Sequence, residues 1–272
     1  MDFRTVVDIE DPGFRIGPCE EMLFVGSCFA DSIGRRFQEE KFRATVNPFG
    51  VMYNPASICH SIIRWNGKCQ TAFFTLGTNH VYRLKETGEI VDNCQKRSAS
   101  LFMEEELSVE ECAGYLQQAV SILHEKNPDV RIVLTVSPIR YRKYGYHGSQ
   151  LSKATLLLAA NEVCSKFKAQ SSKLKVNYFP AYEIVNDELR DYRFYKEDML
   201  HPTDQAVEYI WQRFSEVFLS DEAKTFLKEW APLKAALNHR PFDADSEEYK
   251  AFMDKTMLKV EELKKKNPTF AL

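Results

Sequence analysis

Two side chains able to attack a carbonyl stand next to each other near the start of the chain, Ser27 and Cys28. The apolar run Met22-Leu23-Phe24-Val25 ends abruptly at Gly26-Ser27-Cys28, and a helical pattern begins at once, with Phe29, Ile33 and Phe37 recurring every fourth residue. A strand turning this sharply into a helix needs Gly26, because a residue with a Cβ resists the geometry. The helix N-terminus supplies unpaired N–H groups and a partial positive charge, both of which stabilise a thiolate or an oxyanion forming nearby. Far along the chain, Asp198 precedes His201 by three residues. Histidine ordinarily titrates near neutrality and suits a general base, and a carboxylate at this spacing can reach back to the second ring nitrogen and fix its tautomer. Acyl transfer needs a nucleophile, a base, a group orienting the base and donors for the oxyanion. Candidate donors are the Gly50 backbone N–H after the second strand, the Asn79 amide after the third, and the nucleophile's own N–H. Plainer readings stand beside these. Ser27 can be only a helix cap, Cys28 a small buried hydrophobe, His201 a helix-start residue, and Gly50 and Asn79 turn formers.

The elements that must hold these residues alternate. After the first strand and helix, Phe42 to Val46 reads as a strand closed by Asn47-Pro48-Phe49-Gly50. Pro55 to Trp65 reads as a helix with Ile58, Ile62 and Trp65 on one face, and Thr71 to Leu76 as a third strand closed by Gly77-Thr78-Asn79. Val81–Leu84 and Ile90–Val91, around Glu86-Thr87-Gly88-Glu89, read as an inserted β-hairpin. Ser108 and Glu111 form a capping box opening a helix with Cys112, Tyr115, Leu116, Ala119, Ile122 and Leu123 inward. Arg131 to Val136 is a fourth strand. A polar loop through Gly145, His147 and Gly148 leads to a helix from about Ser152 to Phe167, whose apolar middle around Leu156-Leu157-Leu158 predicts deep burial. Lys175 to Phe179 is the fifth strand, and Thr203 caps a helix through Ala206, Ile210, Trp211 and Phe214.

Strands alternating with helices in this way predict an α/β fold, a parallel sheet with helices on both faces, whose sites gather at the C-terminal strand ends. That edge collects Gly26–Cys28, Asn47–Gly50, Gly77–His80 and Ser137–Arg140. Arg140 and His147, in the loop after the fourth strand, and His80 are candidate substrate-binding residues there. From about residue 221 charged amphipathic helices follow, so the chain divides into a domain over 1–220 and a helical appendage over 221–272.

The 272 residues carry a net charge of −3, which argues against a duplex nucleic-acid binder. The seven cysteines are scattered without a C-x-x-C pair, and the histidines lack ligand spacing such as H-E-x-x-H, so neither a disulfide scaffold nor a metal is expected. No signal-like leader and no spanning apolar stretch is evident, which predicts a cytoplasmic protein without membrane attachment. No glycine-rich phosphate loop calls for a cofactor. The oligomeric state is not legible.

Gly26-Ser27-Cys28-Phe29-Ala30, Asn47-Pro48-Phe49-Gly50, Ser137-Pro138 and Asp198-x-x-His201 occur in an order that resembles the GSCFA family, within the broader SGNH/GDSL hydrolases. The resemblance covers about residues 15 to 218. It implies a flavodoxin-like three-layer α/β/α sandwich and hydrolysis or transfer of an acyl group from a small-molecule or glycan substrate, with Asp198 and His201 as the catalytic pair. Gly77-Thr78-Asn79-His80 resembles the superfamily's G-x-N-D block, with His80 where an acid is usual. The superfamily's first block is Gly-Asp-Ser. Laid on this sequence, Ser27 takes the Asp place and Cys28 the nucleophile place, while the rival register keeps Ser27 as nucleophile. The alternative function is a module of the same fold with a lapsed site, binding a glycan or a protein partner.

Overall fold

A computed structural model describes residues 3–92, 97–170 and 173–270. Five strands form the central parallel sheet: β1 (Glu21–Gly26), β2 (Arg43–Val46), β3 (Thr71–Leu76), β7 (Arg131–Val136) and β8 (Lys175–Tyr178), in the order β2-β1-β3-β7-β8. Between β3 and β7 lies a separate antiparallel sheet of β4 (His80–Leu84), β5 (Ile90–Val91) and β6 (Phe102–Glu106), ordered β5-β4-β6. The helices are α1 (Cys28–Glu39), α2 (Pro55–Arg64), α3 (Val109–Lys126), α4 (Gly145–Gln170), α5 (Ala181–Glu183, continued by a turn of π geometry over Ile184–Glu188), α6 (Asp204–Phe218), α7 (Asp221–Leu237) and α8 (Glu247–Lys266). Counting parallel strands only, the order is 2-1-3-4-5, and it reverses between β1 and β3. A crevice opens beyond the strand ends at such a reversal.

The layers follow from the two-residue period of a strand. Leu23 and Val25 of β1 join Phe74, Ile132 and Leu134 in a core covered by α2, α3 and α4. Met22 and Phe24, pointing the other way, join Phe73 and Val133 under α1 and α6, where Phe37, Trp211 and Phe214 pack edge-on. Both faces of the three central strands are buried, so β1, β3 and β7 read as nearly continuous apolar runs, while the edge strands β2 and β8 carry Arg43, Lys175 and Asn177. The fold is thus the expected α/β/α sandwich. Its capping box is formed as the spacing requires, with Glu111 N–H donating to Ser108 Oγ at 3.1 Å and Ser108 N–H to Glu111 Oε2 at 2.8 Å.

Helices α7 and α8 carry a third core of Phe226, Trp230, Leu233, Val260, Leu263 and Phe270, closed over Cys19. Trp230 Nε1 donates to the Glu39 carbonyl at 3.0 Å and Lys234 pairs with Glu39 and Glu40, so the appendage is fastened to the far end of α1.

Three sequence expectations need correction. The insertion has a third strand, β6, masked by the acid run Glu104-Glu105-Glu106. Only Phe102 of that strand is buried, so no apolar alternation marks it. Helix α4 begins at Gly145, which places His147 and Gly148 in its first turns rather than in a loop. Gly145 accepts the φ of +70° at this corner, so a glycine read as loop punctuation is the helix start. Leu158 is exposed, because α4 lies flat on the sheet and only its stripe through Leu156, Ala160, Val163 and Phe167 faces inward.

Candidate active site

Gly26 is indispensable to the turn after β1. Its φ is +145°, and a Cβ there would lie 2.2 Å from the Thr75 carbonyl oxygen of the neighbouring strand. Ser27 follows with N–H donating to that same carbonyl at 3.0 Å. The Ser27 hydroxyl accepts from Phe29 N–H at 3.2 Å as the N-cap of α1 and shares a 3.1 Å hydrogen bond with Thr75 Oγ1. It is 2% exposed. Cys28 is the first helical residue. It is partly exposed, its N–H has no intrahelical acceptor, and its Sγ lies 3.7 Å from the Tyr53 hydroxyl. Thus the hydroxyl serves the fold and the thiol faces the strand-end edge. The other described cysteines are all buried. Burial pushes the Cys59 thiol up to about 11 and those of Cys19, Cys69, Cys112 and Cys164 up to about 12. Asn47 clamps the turn from the β2 side. Its Oδ1 accepts Gly26 N–H at 2.9 Å and its amide donates to Asp31 at 2.7 Å.

The Asp198–His201 pair sits in a loop pinched shut by a bridge between Tyr195 and Pro202, with Met199 at φ +57°. Asp198 Oδ1 accepts the N–H groups of Leu200 at 2.8 Å and His201 at 2.9 Å, and Oδ2 lies 2.6 Å from His201 Nδ1. These bonds, the backbone ones first, lower the Asp198 carboxyl to about 2. An ionised carboxylate only accepts, so Nδ1 carries the proton and the lone pair is on Nε2, the arrangement a general base needs. Water reaches both side chains, at 40% and 44% exposure. The loop is tied to the same edge as Cys28 through Arg140, which follows β7. Its N–H donates to Leu200 O at 3.0 Å and its guanidinium to Met199 O at 3.2 Å, stacked between Tyr146 and Tyr195. On the other side, a groove of about 520 Å³ runs between α1 and this loop, lined by Ser32 and Arg35 on one wall and Lys196 and Pro202 on the other.

The remaining candidates are placed as follows. Gly50, at φ +91°, closes its own turn by donating its N–H to Asn47 O at 2.8 Å. Asn79 is buried, and its amide donates to Leu107 O at 2.8 Å, fastening the turn after β3 to the chain leaving β6. The Gly50 N–H and one of the two Asn79 amide hydrogens are therefore engaged in the fold. His80 is buried beneath Tyr144, the rings stacked at 3.5 Å, and burial lowers its imidazole below the ordinary value. His147 is exposed on the first turn of α4.

Two residues at this edge escape a reading for nucleophiles and bases. Tyr53 is held by its backbone between the ends of β1 and β3. The N–H before it, on Met52, donates to Gly26 O, and its own carbonyl accepts from Gly77 and Thr78 N–H at 2.9 and 2.8 Å. Burial, and then the contact with Cys28, push its phenol up to about 12. Lys153 is fully buried and donates to Gly77 O at 2.7 Å and Ser137 O at 2.8 Å, bridging the ends of β3 and β7. Burial lowers its ammonium to about 7. Its one signal in the sequence is a lysine on the inward stripe of α4, three residues before Leu156.

A 2-1-3-4-5 parallel sheet with a Gly26-Ser27-Cys28 turn after its first strand, and an Asp–His pair ahead of the helix that closes the sandwich, makes a three-layer α/β/α protein. The model of the GSCFA family matches residues 21–71 and 65–214, that of the GSCFA domain protein, C-terminal domain, matches 230–272, and the chain belongs to the GSCFA family. No curated protein matches the sequence. Among solved structures the chain is similar to a candidate platelet activating factor from Streptococcus pneumonia, at 15% identity over 73% of this chain and 84% of that one, TM-score 0.47. It is similar to a carbohydrate esterase family 3 protein from Talaromyces cellulolyticus, at 11% identity over 77% and 99%, TM-score 0.44. It is also similar to an acetyl-xylooligosaccharide esterase from Geobacillus Stearmophilus, at 14% identity over 75% and 95%, TM-score 0.42. No described helix is long and apolar enough to cross a membrane.

Proposed function

We propose that the protein is an acyl-ester hydrolase working through a thioester on Cys28. One observation carries this reading. A partly exposed thiol opens α1 at the end of β1 while its serine neighbour is consumed as the cap, and in the loop that Arg140 ties to the end of β7 an imidazole is fixed by Asp198 in the tautomer of a base. His201 Nε2 takes the thiol proton as sulfur attacks the acyl carbon, and the carbonyl π pair moves onto oxygen. The Cys28 N–H, at the positive end of α1, faces that oxygen. Collapse breaks the ester C–O bond, and His201 returns its proton to the leaving alkoxide. Water then attacks the thioester with His201 again as base, the C–S bond breaks, His201 returns that proton to the Cys28 sulfur, and the acid leaves. Asp198 holds the imidazole throughout and stabilises its charged form. No step needs a metal or a cofactor.

The leaving group we assign is a hydroxyl-bearing small molecule or glycan. A cavity of about 260 Å³ beside Arg140, lined also by Arg190, Asp191, Tyr192 and Tyr195, presents charged groups and phenols able to hydrogen-bond hydroxyls. The test is intact mass after brief exposure to an activated aryl acetate, followed by peptide mapping. The expected result is an acetyl group on Cys28, absent from Cys28→Ala and formed far more slowly in His201→Ala. An adduct on Ser27, or acylation undiminished in His201→Ala, overturns the mechanism. Ligand binding without any turnover supports a lapsed site instead.

A further inference from the structure

Resting on that reading, we infer that the Tyr53 hydroxyl is the side-chain donor of the oxyanion hole and so a catalytic residue. A tetrahedral intermediate on Cys28 needs donors besides the nucleophile's own N–H, and a missing one typically costs about 10²–10³ in rate. Of the two groups expected to serve, Gly50 donates its N–H to Asn47 O, and Asn79 is buried with one of its two amide hydrogens on Leu107 O. Tyr53 OH is the polar side-chain group placed against Cys28 Sγ, at 3.7 Å.

Its position is imposed from three sides. Met52 N–H holds the chain to Gly26 O at the end of β1. Gly77 and Thr78 N–H hold the Tyr53 carbonyl at the end of β3. That close approach requires a glycine at 77, where a Cβ would lie 2.9 Å from Tyr53 O and 3.3 Å from Ser27 Cβ. The ring then leans on Tyr141, with centroids 6.3 Å apart, and Tyr141 in turn stacks on Tyr144. The Tyr53 backbone is thus fixed at the β1/β3 reversal, and from it the 41% exposed side chain brings its phenol to the thiol, where donors aimed at developing charge are most effective. The phenol also stays protonated across the working pH range. In the resting enzyme it faces sulfur. When the S–C bond forms and the carbonyl pair moves onto oxygen, the O–H bonds that oxygen, and it releases it as the carbonyl re-forms. No proton leaves the phenol.

The experiment compares wild type, Tyr53→Phe and Cys28→Ala with p-nitrophenyl acetate, reading the acylation burst, kcat and KM. Alkylation of Cys28 by iodoacetamide, which forms no oxyanion, is followed from pH 6 to 9. For Tyr53→Phe, acylation and kcat are expected to fall about 10²-fold with KM within about twofold. The alkylation rate and its pH profile are expected to stay within about twofold. Acylation by Tyr53→Phe at the wild-type rate overturns the inference while leaving the cysteine mechanism standing. Acylation and alkylation falling in equal proportion also overturns it, because Tyr53 then acts only on the thiolate. A wild type that acylates elsewhere than Cys28 removes both readings together.

Discussion

Replacing Gly26 by alanine puts a methyl group into the contact between β1 and β3. The added carbon would sit 2.2 Å from Thr75 O, 2.5 Å from Thr75 Oγ1 and 2.8 Å from Thr75 N, where ordinary contact begins at 3.4 Å, so the strands must part by about 1.2 Å at their C-terminal ends. No flexible side chain can yield, because two of the three atoms are backbone. Overpacking of this kind costs about 1–3 kcal/mol. Holding alanine at φ +145° adds about 1–3 kcal/mol. The Ser27 N–H to Thr75 O bond, stretched or broken, adds about 1 kcal/mol. Together these give about 5 kcal/mol, which lowers the melting temperature by roughly 10–20 °C in a chain of this size. Because Cys28 is two residues on, the same displacement moves the sulfur by about 1 Å, worth roughly 10²-fold in acylation rate. Thermal melting by circular dichroism checks the first figure and the p-nitrophenol burst the second. A Gly26→Ala protein that melts within about 2 °C of wild type and acylates normally would refute both the tight turn and its role in placing the thiol.

Ser27→Ala loses a helix cap, about 1 kcal/mol, and leaves Thr75 Oγ1 without its buried partner, yet it is expected to retain acylation. Cys28→Ala is expected to keep its stability and lose acylation, and mass mapping distinguishes the two. Asp198→Asn is expected to lower kcat about 10²-fold, less than the ~10⁴ of a buried triad because water reaches both side chains. With the Asp198 carboxyl lowered to about 2, its contribution is complete above its ordinary value and lost only as pH falls through about 2. A pH–rate profile therefore shows no Asp198 limb above about pH 3. Lys153, lowered to about 7, binds fewer protons folded than unfolded between pH 7 and its ordinary 10.5. Its contribution to stability therefore rises with pH by on the order of 1 kcal/mol per unit there. Urea unfolding at pH 6, 7.5 and 9 is expected to show this rise in wild type and not in Lys153→Met, and parallel profiles would contradict it.

Local pattern determined much of this protein. The five strands as segments, the capping box at Ser108, the cap at Thr203 and the turns that close the strands all depend on residues within a few positions of one another. The same is true of the Asp198–His201 bond, since three residues of loop suffice to bring carboxylate and ring together. Other features were decided by partners distant in sequence. Ser27 and Cys28 are chemically equal candidates until Thr75, 48 positions away, takes the hydroxyl and Tyr53 meets the thiol. Asn79 reads as a turn residue with a free amide until Leu107 O, 28 positions away, takes one of its two amide hydrogens. Strand β6 pairs through its backbone while its glutamates face out, so it leaves no apolar rhythm to read. Lys153 is an ordinary helix residue by type, and only the packing of α4 on the strand ends turns it inward to bind two carbonyls. Which hydrogen bond a polar group makes depends on geometry across the sheet, and that geometry exists only once the layers have closed.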